Sequence, residues 1–248
     1  MGLAHSPRIV TDGLVLALDA ANAKSYPGSG TTWFDLSGKN NNATINSGEY
    51  VSSGFLQNSG NTSNFFTISL SDSTTINSTF SKTTGGWTIE ELIYTYSVTY
   101  PESDGGSVIS SAAYGATATG FDWNHGQLNT NFQFGVTSGG GPSASYDKVV
   151  NVGLSAPFSN LNAWKLRTMQ WDRTTDTVSL YINGVYQGGG SIVEVQGQTL
   201  YDGGGIVFGS LYGWKHYGRR SMIRIYDRLL TAAEIRQNFN ATRARYDI

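Results

Sequence analysis

The chain has 248 residues, of which 31 are glycine and only 14% are charged, a composition typical of a β-protein rich in turns. A formal net charge of −2 gives no electrostatic basis for a nucleic-acid or anionic-membrane partner, and no apolar run approaches the length of a membrane span. Because cysteine is absent, disulfide bonds and thiolate metal sites are excluded.

Residues 1–12 are predicted to form a lead, and residues 13–248 a single domain, since no linker divides the remainder. The first seven residues lack the basic and apolar regions of a secretory signal, so we expect synthesis in a cytoplasm without Sec-type export. The run Pro7-Arg8-Ile9-Val10 suits addition to a partner's exposed sheet edge, which predicts a tether in residues 1–10. The alternative is a frayed terminus.

Residues 14–18 form a compact apolar strand, and a long polar loop follows from residue 22 to residue 49. Within that loop Asp35, Asn40 and Asn42 offer hard oxygen ligands in a tight segment, which suits Ca²⁺. The segment lacks the density of acidic residues of a tight calcium cage. A network of Asx turns that holds the loop is therefore the alternative.

Further strands are predicted from runs of β-forming residues between turn signals, at 65–70, 87–97, 108–110, 131–137, 149–154, 206–210 and 222–226. Glu90 and Glu91 are adjacent in one of these strands and must point to opposite faces. They therefore cannot together form the acid–base pair of a glycosidase. The glycine runs 188–190 and 203–205 are predicted to be turns.

The clearest hairpin lies in residues 164–187. Residues 178–182 alternate apolar and polar side chains, as a strand with one buried face does, whereas neither face of residues 164–171 is wholly apolar. Asn183-Gly184 follows, and both residues tolerate positive φ. The pair therefore predicts a two-residue hairpin turn.

Only the C-terminal segment has the pattern of a helix. Thr231 and Glu234 form the signature of a capping box, in which each side chain accepts a hydrogen bond from the other residue's backbone amide. Ile235 and Phe239 follow at i, i+4 spacing and predict an apolar stripe that docks on the sheet.

Two loops combine aromatic rings with polar groups and are candidate sugar-binding segments, because sugar sites pair stacking rings with a few placed polar groups. The candidate residues are Asp122, Trp123, Asn124 and His125 in the first loop, and Tyr212, Trp214, His216 and Tyr217 in the second. The alternative is that these rings cover the edges of a sandwich without a ligand.

Three stretches carry a family resemblance. The order W…D-R-T…L-Y-I-N-G-V resembles the central hairpin of concanavalin A-like, laminin-G-like jelly-roll domains. LALDAANAKSYPGSGTTWFDLSGKNNNATI is similar to the opening of such proteins among the virion proteins of tailed phages, as is the lead S-P-R-I-V-T-D-G-L. The tail IRIYDRLLTAAEIRQNFNATRARY resembles the family's closing strand and short helix. The resemblance implies an all-β, two-sheet antiparallel sandwich with a C-terminal helix.

For function, the resemblance implies a non-enzymatic structural protein located in the virion. We expect a lectin-like accessory subunit in multiple copies on capsid or tail, with other virion proteins as partners and host-surface glycans as candidate ligands. No cofactor is required, calcium is a candidate ion, and neither nucleic acid nor membrane insertion is expected. One rival is a glycoside hydrolase of the same fold, against which stands the missing E-x-D-x-E segment of laminarinase-type relatives. The other is a bacterial lectin, which a secretion signal would favour.

Overall fold

The structure is a computed structural model that describes residues 7–47, 49–57, 67–71, 73–95, 108–110, 119–125, 131–138, 148–153, 162–192, 197, 201, 205–209 and 218–248. Within them the chain forms two antiparallel sheets and two helices. This confirms the fold class that the sequence predicted. In the described part, no helix is both long and apolar enough to cross a membrane.

The elements follow one another along the chain in three groups. The first group is β1 (Leu14–Asp19), β2 (Thr32–Trp33), β3 (Ala43–Ser47), β4 (Glu49–Val51), β5 (Phe55–Gln57), β6 (Thr67–Leu70) and α1 (Thr74–Phe80). The second is β7 (Gly86–Thr95), β8 (Val108–Ser110), β9 (Thr119–His125), β10 (Asn131–Ser138) and β11 (Lys148–Gly153). The third is β12 (Trp164–Asp172), β13 (Thr177–Ile182), β14 (Val185–Ser191), β15 (Ile206–Gly209), β16 (Gly218–Tyr226) and α2 (Ala232–Arg243).

Each sheet has eight described strands. The first sheet has the order β14-β13-β12-β7-β16-β5-β4, and β1 also pairs with β16. The second sheet has the order β11-β10-β9-β8-β15-β6-β3-β2. The long strands β7, β12 and β16 lie together in the middle of the first sheet. Two of the segments that resemble the family thus contribute strands to its centre, β12 and β16.

Aromatic rings fill much of the space between the sheets. Trp87 and Trp171 of the first sheet face Phe121 and Phe134 of the second, and all four side chains are at most 2% exposed. Their ring centroids lie 4.9 Å apart for Trp87 and Phe121 and 5.0 Å apart for Phe134 and Trp171. Such ring pairs add to the stability that burial of their apolar area provides.

The hairpin prediction is confirmed. β13 and β14 are joined by Asn183-Gly184, and the two residues have φ angles of 52° and 75°. Asn183 also ties the turn to β12, because Leu166 N donates to Asn183 Oδ1 at 2.9 Å. Both faces of β12 are covered, one by the second sheet and one by α2. This is why its sequence lacks a clean alternation.

The sequence predicted a turn at the glycine run 188–190, but these residues lie inside β14. A Cβ at Gly190 would lie 2.6 Å from Val150 Cγ1, and one at Gly188 would lie 2.9 Å from Val152 Cγ1. β14 and β11 are edge strands of the two sheets, and they come together here. Glycine is needed because any side chain would hold these two edges apart.

The C-terminal helix is confirmed with its capping box. Thr231 Oγ1 accepts from Glu234 N, while Glu234 Oε2 accepts from Thr231 N. Ile235 and Phe239 are 0% and 6% exposed and pack on the outer face of the first sheet.

The end of the lead packs on this helix. Val10 N donates to Asn238 Oδ1 at 2.8 Å, and Val10 O accepts from the Tyr226 hydroxyl at 3.1 Å. Gln237 Nε2 donates to Arg8 O at 2.7 Å. Residues 8–10 therefore pack on the protein itself. That residues 1–10 contact a partner stays a prediction. Residues 1–6 lie outside the described residues.

A helix that the sequence did not predict, α1, precedes β7. Ser73 caps it by accepting from Ile76 N at 3.1 Å. Its Thr-, Ser- and Asn-rich sequence has low helix propensity, so the burial of Ile76 and Phe80 against the core must hold it.

Candidate functional site

The first predicted sugar-binding segment is a strand and not a loop. On β9 the side chains of Phe121 and Trp123 face the core and are 1% and 2% exposed. The Trp123 ring lies 5.7 Å from the ring of Phe134. A ring enclosed between the sheets cannot stack on an external sugar, so Trp123 is a core residue. The apolar–polar alternation of residues 121–124 is the signal that predicts this strand.

The remaining residues of that candidate site are placed only in part. Asp122, Asn124 and His125 lie on β9, in register with Gly135, Gln133 and Phe132 of β10. The other four candidates lie outside the described residues, and their role in sugar binding stays a prediction: Tyr212, Trp214, His216 and Tyr217.

The candidate calcium loop is held together by hydrogen bonds to Asp35. Its carboxylate accepts from Ala17 N at 2.9 Å, Ser37 N at 2.8 Å and Asn41 N at 3.0 Å, and also from the Ser37 hydroxyl. Asn42 Oδ1 accepts from Asp35 N at 2.9 Å. This is the Asx-turn arrangement that the sequence offered as the alternative to calcium.

These residues do not fit a calcium ion well. Each Asp35 oxygen already accepts two hydrogen bonds, which a cation would have to displace. Asn42 Oδ1 accepts from Asp35 N, and Asn40, with a φ of 61°, accepts from Asn42 Nδ2 at 3.4 Å. Within the described ranges, no group of three or more His, Cys, Asp or Glu side chains could hold a metal ion.

One polar cluster that the sequence did not reveal lies under α2. The Glu90 carboxylate of β7 accepts from Arg224 Nη1 at 3.2 Å, Asn238 Nδ2 at 3.0 Å and Thr168 Oγ1 at 3.2 Å. Glu90 is 0% exposed. Asn238 also donates to the Tyr226 hydroxyl at 3.0 Å, so the cluster joins the central strands, α2 and the lead.

A second cluster lies on the opposite face of β7, between the sheets. Glu91 pairs with Arg167 of β12 through Oε1 and with Arg220 of β16 through Oε2, the latter at 2.9 Å. All three side chains are at most 2% exposed. A buried carboxylate between two guanidinium groups is costly to disrupt, because removal of one partner leaves an uncompensated charge.

Burial is the largest cause of the pKa shifts of Glu90, Tyr226 and Arg167. It raises the pKa of Glu90, while Arg224 and the hydrogen bond from Asn238 oppose this shift. It raises the pKa of Tyr226 as well, and the nearby Glu90 adds to that effect. Burial lowers the pKa of Arg167 to about 10, although the neighbouring Glu91 acts in the other direction.

A family model described as the concanavalin A-like lectin/glucanases superfamily matches residues 72–236, which span most of both sheets and the start of α2. The chain belongs to this superfamily. A search of curated proteins found no match.

Solved structures similar to this concanavalin A-like protein include toxin binding domains and a sialidase. The binding domain of Paraclostridial Mosquitocidal Protein 1 is 19% identical with a TM-score of 0.61, over 93% of this chain and 52% of that one. Trypanosoma rangeli sialidase in complex with sialic acid is 14% identical with a TM-score of 0.64, over 94% and 33%. The binding domain of Botulinum Neurotoxin DC in complex with SialylT is 14% identical with a TM-score of 0.60, over 93% and 52%. The chain thus spans about half of the two toxin binding domains and a third of the sialidase, and the likeness shows the fold alone.

The geometry of the concanavalin A-like sandwich limits what its central carboxylates can do. Glu90 faces α2 and Glu91 faces the second sheet, as their adjacency in the sequence predicts. Glycoside hydrolysis requires two carboxyl groups that flank one bond. These two lie on opposite faces of a sheet and are both buried, so they are structural rather than a catalytic pair.

Sequence reasoning missed the partners of these carboxylates. Arg167, Arg220 and Arg224 lie far from Glu90 and Glu91 in the chain, and only the pairing of β7 with β12 and β16 brings them together. The signal in the sequence was the presence of charged residues at otherwise buried strand positions. This feature predicts partners without identifying them.

Proposed function

We propose that this concanavalin A-like protein is a non-enzymatic, lectin-like structural protein of a phage particle, displayed on capsid or tail, where it contacts host-surface glycans. The observation that carries the non-enzymatic assignment is the burial and ion pairing of the two central carboxylates. Glu90 and Glu91 are buried in separate ion pairs on opposite faces of β7, where neither can reach a substrate.

The superfamily and two of the similar structures support glycans as ligands. The superfamily description includes lectins. Trypanosoma rangeli sialidase is described in complex with sialic acid, and the botulinum neurotoxin binding domain in complex with SialylT.

The virion role is supported by the sequence resemblance of two segments. The lead at residues 6–14 and the loop at residues 16–45 resemble those of virion proteins of tailed phages. On this basis the protein is an accessory subunit present in multiple copies, with other capsid or tail proteins as its partners.

Two measurements test the proposal. Quantitative mass spectrometry of purified particles, combined with immunogold labelling, should detect the protein at a reproducible copy number on capsid or tail. Its absence from particles would overturn the virion assignment.

For activity, the purified protein should bind glycans on an array and release no reducing ends from β-glucans. Release of reducing sugar that scales with protein concentration would identify a glycoside hydrolase instead.

A further inference from the structure

The tip of the β13–β14 hairpin exposes an aromatic ring beside α2. Tyr186 is 56% exposed and Val185 is 40% exposed, unusually high values for large apolar side chains in this protein. The ring of Tyr186 is supported edge-on by Tyr181, with centroids 5.3 Å apart. An exposed ring held in place by a neighbouring ring is suited to stacking, because it loses little conformational freedom on binding.

The adjacent flank of α2 carries two arginines and an amide. Arg236, Asn240 and Arg243 follow at i, i+4 and i+7 spacing and so lie on one stripe of the helix. Both guanidinium groups bracket the ring of Phe239, with Cζ atoms 5.7 and 5.9 Å from its centroid. Among the described residues no carboxylate forms an ion pair with Arg236 or Arg243, and both side chains are exposed.

The hairpin and the helix stripe touch each other. A Cβ at Gly184 would lie 3.1 Å from Arg236 Cδ and 3.3 Å from Phe239 Cβ, so the turn packs directly on the arginine side chain. Tyr186 pairs with Tyr181 on the face that α2 covers, and with Arg236, Asn240 and Arg243 it thus forms one surface, the hairpin–helix surface. It combines an aromatic ring, two guanidinium groups and an amide. Val185 pairs with the buried Ile182 and points to the other face of the sheet.

We propose that the hairpin–helix surface binds an acidic saccharide, a sugar that carries a carboxylate or sulfate group. The planar guanidinium fork matches such groups in a bidentate manner, the Tyr186 ring stacks on the apolar face of a pyranose, and the Asn240 amide bonds hydroxyls. This inference rests on the proposed glycan-binding function and names its ligand class and its location.

The chemistry of the surface favours a saccharide over an acidic protein. Its exposed apolar area consists of one large side chain, Tyr186, whereas a stable protein interface buries about 800 Å² per partner around an apolar centre. A ring flanked by two cations instead fits a ligand of one or two sugar units. Binding of acidic peptides in place of sugars would contradict the proposal.

The test begins with an array of neutral, carboxylated and sulfated oligosaccharides, followed by calorimetry with trigalacturonate and its uncharged methyl ester. We expect selective binding of the acidic members, with affinity that falls as salt is raised, since exposed charges are screened. Arg236→Ala and Arg243→Ala should each weaken binding about tenfold or more, and Tyr186→Ala should do the same. Tyr186→Phe, which keeps the ring, should bind like the unmodified protein.

Matched controls separate the surface from overall charge and folding. Lys24→Ala removes an exposed cation between β1 and β2, and Lys39→Ala removes one between β2 and β3. β1 lies on the other side of β16 from β14, and β2 belongs to the second sheet, so both variants should leave affinity unchanged. Melting curves of every variant must show a folded protein at the binding temperature. If only neutral glycans bind, or if the arginine variants bind acidic glycans as tightly as the parent, the acidic-saccharide site is wrong while glycan binding stands. If no glycan binds at all, both proposals fail.

Discussion

Gly184 is subject to two constraints at the same residue. Its φ of 75° lies in the left-handed region, and the space beside it is occupied by Arg236 and Phe239 of α2. We expect Gly184→Val to destabilise the protein by about 1–3 kcal/mol, because a β-branched residue is strained there. Gly30→Val is the control, since Gly30 also has positive φ (88°) but has no atom within 4 Å of an added Cβ.

Denaturant unfolding of both variants distinguishes strain from packing. Equal losses for Gly30→Val and Gly184→Val would mean that backbone strain alone accounts for the effect and that the hairpin does not pack on α2. A larger loss at Gly184 is the expected result.

Substitution of Gly190 tests whether the edge strands β14 and β11 pack against each other. Its φ is not in the left-handed region, so only space is at issue, and an added Cβ would lie 2.6 Å from Val150 Cγ1. Gly190→Ala should cost about 1–3 kcal/mol through overpacking. In the double variant Gly190→Ala/Val150→Ala the clash is relieved, and a double-mutant cycle should give a favourable coupling energy. Additive losses would contradict the contact between β14 and β11.

At the scale of the element, α2 is held by its buried stripe and by its cap. Phe239 is 6% exposed among Leu92, Leu166 and Met222, so Phe239→Ala should cost about 3–5 kcal/mol. The measurement is the free energy of unfolding, together with hydrogen exchange at residues 232–240. Exchange as fast as in a free peptide in the unmodified protein would show that the helix is not docked.

The capping box predicts a dependence of stability on pH. The hydrogen bonds from Arg228 and Thr231 lower the pKa of Glu234 from 4.5 to about 2. A carboxyl whose folded pKa is depressed adds stability that is complete above its unfolded pKa and is lost as pH falls through the folded value. The stability difference between the parent protein and Glu234→Gln should therefore hold above about pH 5 and shrink between about pH 4.5 and 2. An undiminished difference at pH 2 would contradict this assignment.

The sequence predicted those elements whose signals are local. The Asn183-Gly184 turn, the Thr231–Glu234 cap and the strand from residue 14 each depend on neighbouring residues, and each was correct. α1 was missed because its burial, rather than its propensity, makes it helical. β9 was interpreted as a loop because its polar residues suggested a ligand, although its alternation indicated a strand.

At the scale of the whole molecule, the two polar clusters connect parts of the chain that no local pattern links. Glu90 and Glu91 bond to residues 76 to 148 positions away, and Asn238 joins α2 to Val10 across 228 positions. The hairpin–helix surface likewise combines residues from a turn and a helix some fifty positions apart. Such long-range sites depend on which strands pair and in which register. No pattern of neighbouring residues in the sequence shows this.

The last prediction concerns the lead. It separates the role of these residues in folding from a role in attachment to a phage particle. Deletion of residues 2–6 keeps the hydrogen bonds of Arg8 and Val10, so the protein should stay folded. Deletion of residues 2–10 removes both hydrogen bonds of Val10 and leaves buried groups of Asn238 and Tyr226 without those bonds, which should cost about 1–3 kcal/mol. If residues 1–6 hold the protein on a phage particle, the shorter deletion should abolish incorporation while the protein stays folded. Particles that carry the shorter form at full occupancy would place the attachment on the sandwich itself.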